Sequence, residues 1–69
     1  MMGKKFEVRV IVTNRGCTFD LGMYHPQGNR YEPLGTHRTE DKERVVRGLR
    51  ERIEREGHVV SFSETDGKR

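Results

Sequence analysis

The chain has no alanine and a single cysteine, and only 30% of its 69 residues are hydrophobic. So little apolar material rules out a large core. A chain of this length buries only about 60% of the surface its unfolded form exposes, and a thin core is often completed by a partner chain. A homodimer is therefore expected. Low apolar content beside 36% charged residues marks disorder when it is unpatterned. Here the apolar residues are strongly patterned, which predicts one folded domain over residues 1–69, with an ordered core at about 5–63 and a frayed tail at 64–69. Cys17 alone excludes an internal disulfide framework and fits a reducing cytoplasm. No apolar run approaches the roughly 20 residues of a membrane span, and no signal-peptide core is visible. The expectation is a cytoplasmic chain without membrane contact. Glycine-rich phosphate loops are absent, and no acid, base and nucleophile converge in the pattern, so no enzyme and no cofactor are expected.

What is present is alternation. Phe6, Val8, Val10 and Val12 share one parity, and Lys5, Glu7, Arg9, Ile11 and Thr13 share the other. Period two with β-branched residues predicts a half-buried strand. Asn14-Arg15-Gly16 reads as a three-residue turn, after which Cys17, Phe19, Leu21 and Met23 continue the inward parity. His25-Pro26-Gln27-Gly28-Asn29 supplies a second turn, with Gly28 suited to positive φ. A third strand over 30–36 has a poor pattern, and Pro33 cannot donate to a ladder, so it belongs at an edge or carries a bulge. Thr39 is placed as helix N-cap, with Glu40 and Asp41 at the positive end. Val45, Val46, Leu49 and Ile53 form one narrow helical stripe, Gly57 ends the helix, and Val60 and Phe62 alternate in a short last strand.

The order β-β-β-α-β with a right-handed crossover places the last strand parallel to the first and beside it, in spatial order 3-2-1-4. The fold class is α+β: a three-stranded antiparallel meander, one helix on one face, and a fourth strand parallel to strand 1. The helix stripe would cover Val8, Val10, Phe19 and Leu21, leaving the opposite face open. Over residues 5–64 this connectivity resembles the first half of the ribonuclease-H-like fold, and the truncated version found in some antitoxins of toxin–antitoxin systems. Nuclease activity in that family relies on carboxylates converging on paired Mg²⁺, one of them on the first strand. Residues 6–13 offer only Glu7, near the start, so the resemblance implies a non-catalytic version. The antitoxins' small loop around Pro-Gly-Cys is also missing.

Cys17, His25, His37 and His58 contain no closely spaced pair of the kind that pre-organises a structural zinc site, so a buried thiol and three surface histidines are expected instead. Cys17 has no helix terminus to activate it, although the parity of His58 would allow the two to lie near each other. Within residues 40–56 six acids alternate with six bases, and Glu43, Arg47, Glu51 and Arg55 form an i, i+4 ladder suited to a solvated helix face.

The surplus positive charge therefore lies outside the helix. Lys5, Arg9, Arg15, Arg30 and Arg38 fall on the open face, at hairpin tips or beside the third strand, and Tyr24 and Tyr31 add aromatic surface. Arginines for phosphate and an aromatic ring for bases make nucleic acid the first expected partner, with Tyr24 stacking. The alternative is a protein-binding adaptor, inhibitor or antitoxin-like regulator that uses Ile11 and Tyr24 on the same face, or an edge strand. Gly48, at mid-helix, would admit a close neighbour in that case.

Overall fold

A computed structural model describes residues 6–67, and Lys5 lies outside them. The chain runs β1 (Glu7–Arg15), β2 (Thr18–His25), β3 (Arg30–Arg38), a single 3-10 turn (Thr39–Asp41), α1 (Lys42–Arg55) and β4 (Val59–Asp66). The four strands form one sheet in the order β3-β2-β1-β4, with β1 antiparallel to β2 and parallel to β4. That is the architecture expected from the crossover rule. The described residues contain no helix long and apolar enough to cross a membrane.

The core sits between α1 and one face of the sheet. Its buried members are Val8, Val10 and Val12 of β1, Phe19 and Leu21 of β2, and Ile53 of α1. Val45, Val46 and Leu49 pack against this cluster, as the helical stripe requires. Phe6, the first residue of the predicted inward row, precedes the strand and stays 40% exposed. Its ring stands 5.4 Å from that of His58 between centroids.

Several local features differ from what the sequence predicts. The first hairpin closes in two residues, because Asn14 and Arg15 remain paired with Phe19 and Thr18. Gly16 takes φ +77° and Cys17 does not, the φ pattern of a two-residue loop that follows the strands' own twist. Cys17 therefore sits exposed at the tip instead of on the apolar parity. In the second turn Asn29, not Gly28, adopts positive φ (49°), and its Oδ1 accepts the Tyr24 hydroxyl at 2.6 Å.

Thr39 caps nothing. Its hydroxyl donates to the Gly16 carbonyl at 3.0 Å and its N–H to that of Cys17 at 2.8 Å, tying the start of the helical segment to the hairpin tip. β3 runs on to Arg38, two residues further than its pattern suggests, past a bulge where Leu34 and Gly35 face Leu21; Gly35 has φ +94°. As expected, β3 is an edge strand.

β4 likewise extends beyond its apolar part, through Asp66. The polar residues 64–66, expected to fray, are held by the ladder to β1 and by a buttress across three elements. Lys42 Nζ donates to Glu64 Oε2 (2.9 Å) and Asn14 Oδ1 (2.6 Å), and Asn14 Nδ2 donates to the same Glu64 oxygen (2.8 Å).

Gly57 ends α1 as expected, with φ +89°: its N–H reaches Glu54 O, and the His58 N–H reaches Ile53 O, a Schellman closure. Gly48 has open space where a Cβ would stand. Gly48→Ala should therefore raise the unfolding free energy by about 1 kcal/mol in urea denaturation. A loss of stability instead would mean that another chain seats on this helix face.

Candidate nucleic-acid interface

On the face opposite the helix, the rows of side chains follow from strand register. Tyr31, Tyr24, Arg9 and Ser61 form one row across β3-β2-β1-β4, and Pro33, Gly22, Ile11 and Ser63 form the next. Thr36, Asp20, Thr13 and Thr65 follow, and Arg38, Thr18 and Arg15 close the hairpin end.

Tyr31 decides the character of this surface. A Cβ built on Gly22 would run into the Tyr31 hydroxyl and ring, so the ring lies along the sheet in the space left by the missing side chain. Tyr31 remains 51% exposed and so keeps part of its ring open to solvent. Beside it Tyr24 is half-buried and anchored through its hydroxyl on Asn29. Arg9 stands next in line. Two aromatic rings and a guanidinium in one row are what a base-stacking, phosphate-binding surface needs. The signal for Tyr31 was in the sequence: a glycine in mid-strand calls for a large neighbour to cover it.

The arginines on this face are not bare. Arg15 Nε donates to Asp20 Oδ2 at 2.6 Å, and the Thr36 hydroxyl donates to the other oxygen at 2.8 Å. These hydrogen bonds, Arg15's first, hold the Asp20 carboxyl below its ordinary range. Arg9 lies 3.9 Å from Glu7, and Arg38 3.2 Å from Glu40. Such exposed pairs are weak, and the two looser ones leave Arg9 and Arg38 available to phosphate. Arg15 is the most firmly engaged of the three.

The remaining candidates do not join this set. Arg30 is paired with His25, one position past the Tyr24–Tyr31 row, and so belongs to the helix side of β3. There it lines a cleft of about 530 Å³ beneath the C-terminal half of α1, over Met23, Leu34 and Ile53. His25 Nε2 in the same cleft is covered, lacks a hydrogen bond, and lies 3.6 Å from Glu32 Oε1. Ile11 is half-buried on the open face, whereas Gly48 is on the helix, so the alternative set is divided between the two sides of the sheet.

Cys17 and His58 stand at opposite ends of the nine-residue β1, roughly 30 Å apart at about 3.3 Å per residue. Among the described residues no three His, Cys, Asp or Glu side chains group as metal ligands would.

Charge is nearly balanced within the described residues. Residues 6–67 contain ten Lys and Arg against eleven Asp and Glu, so the whole positive surplus belongs to Lys4, Lys5, Lys68 and Arg69.

Glu64 is also held below its ordinary range, mainly by the hydrogen bond from Lys42 and then by that from Asn14. Both carboxylates therefore titrate lower in the folded chain than in the unfolded one. The stability they contribute is fully present above the ordinary carboxylate range and is lost as pH falls through their folded values. Urea midpoints should drop in acid below about pH 4, and Asp20→Asn and Glu64→Gln should each flatten that drop. Identical pH slopes in parent and variants would refute this.

Comparison with protein-family models, with curated proteins and with solved structures finds no match for this chain.

Proposed function

We propose that this chain is a non-catalytic binding protein that holds single-stranded nucleic acid on its open sheet face. The observation that carries this reading is the Tyr31 ring lying along the sheet over Gly22, in one row with Tyr24 and Arg9. Bases stack on Tyr31 and Tyr24, while Arg9 and Arg38 take phosphate in place of Glu7 and Glu40. Stacking on a sheet is tolerant of base identity, so modest sequence preference accompanies this mode.

Fluorescence anisotropy with short labelled DNA and RNA strands, at low and high salt, tests the reading. Tyr31→Ala should weaken binding by about 1–3 kcal/mol, and Tyr31→Phe should retain most of it. Arg9→Ala should lower the slope of log affinity against log salt by about one. Binding that ignores salt and Tyr31→Ala alike, or no binding at all, would reject it.

One observation favours a protein partner instead: the three arginines of this face are each matched by an acid, so the face is close to neutral. On that reading Ile11 and Tyr24 are the anchors, and neutralising Arg9 leaves binding intact. Capture of a partner that is lost with Tyr24→Ala but kept with Arg9→Ala would decide for it.

A further inference from the structure

The two edges of the sheet are built differently. Along β3, Pro33 has no N–H to offer, Gly35 sits in the bulge, and Arg30, Glu32 and Arg38 add charge. These are the devices by which sheets refuse further strands. β4 has neither proline nor bulge, its first charged side chain is Glu64, and it carries no Lys or Arg. Val59 on the open face is 52% exposed and Phe62 on the helix face 41%. This edge thus presents apolar side chains on both faces.

Its backbone polarity follows from two bonds. The Val59 N–H donates to Phe6 O at 3.0 Å, and the Gly67 N–H to Asn14 O at 2.8 Å. Alternate residues of a parallel strand point both backbone groups at the same neighbour. Odd-numbered residues of β4 therefore bond to β1, and Val60, Phe62 and Glu64 turn their N–H and C=O outward. Phe62 is the midpoint of the stretch 59–65.

A second β4 laid antiparallel about Phe62 pairs Val60 of one copy with Glu64 of the other, Ser61 with Ser63, and Val59 with Thr65. No like charges meet along this ladder, and His58 falls opposite Asp66. Glu64 is already neutralised within its own chain by Lys42. Residues of one sheet face meet residues of the same face, so the pairing is self-consistent.

We propose that the chain forms a closed dimer through antiparallel pairing of two β4 strands across a two-fold axis near Phe62. The product is one continuous sheet of order 3-2-1-4-4-1-2-3. The occupant is a second copy because the other edge is blocked. Head-to-tail addition of β4 to β3 would propagate into a filament, and Pro33 and the bulge prevent it, leaving the isologous contact. The inference goes beyond the nucleic-acid reading and does not rest on it. It would place both Tyr31–Tyr24–Arg9 rows on one side of a single sheet.

Sedimentation velocity and amide exchange by NMR, each at low and high protein concentration, test it on the parent chain. Expected is a concentration-dependent dimer in which the Val60, Phe62 and Glu64 amides exchange about tenfold or more slowly at high concentration. The Ser61 and Ser63 amides should be protected at every concentration. Phe62→Lys should be folded by circular dichroism and monomeric throughout. A parent chain that stays monomeric at millimolar concentration, or dimerises without protecting those three amides, overturns the proposal. So does a folded Phe62→Lys that dimerises like the parent. Should that variant fail to fold, exchange on the parent still decides.

Discussion

β1 is the strand on which every other part of this molecule is registered. Val8, Val10 and Val12 are its apolar helix-side residues, none more than 4% exposed, and they make up half of the buried core. The same strand pairs with β2 on one side and β4 on the other, so the two halves of the sheet meet only through it. A one-residue slip in either ladder would turn Phe19 and Leu21, or Val60 and Phe62, to the solvent face. Burial of three valines thus sets the register of the sheet, and the register sets which side chains share the open face.

One helix can cover only one side of a four-stranded sheet, and the buried core of this chain lies on that side alone. The uncovered side is stabilised by other means. Tyr31 fills the space above Gly22, Tyr24 is anchored on Asn29, and Asp20 collects hydrogen bonds from Arg15 and Thr36. These contacts hold the aromatic row and Arg15 in place, so the side chains of the candidate interface also support the face itself. The cleft holding Arg30 and His25 arises from the same shortage, where α1 leaves part of β2 and β3 uncovered.

Polar side chains do structural work at the far end of the sheet. Lys42, Asn14 and Glu64 join helix, first strand and last strand, and Thr39 joins the start of the helical segment to the Gly16–Cys17 tip. These bonds lie where the apolar core has run out. They extend β4 past its hydrophobic half and bring the chain out of β3 into the helix without a conventional cap.

By itself the sequence determined the element order, the inward placing of Val8, Val10, Phe19 and Leu21 though not of Phe6 and Cys17, the edge position of the Pro33 strand and the stop at Gly57. Each is a consequence of local periodicity or of the backbone limits of proline and glycine, which act within a few residues. It did not determine the two-residue hairpin tip, the role of Thr39, the length of β4 or the flat setting of Tyr31. The role of Thr39 and the length of β4 depend on groups more than ten residues apart: Thr39 on Gly16, Glu64 on Asn14, and Asp66 on the ladder to β1. The same reason separates Arg30 from Arg9. Both are positive in the sequence, but only strand pairing assigns them to opposite faces, because a side chain's face is settled by its partner across the ladder.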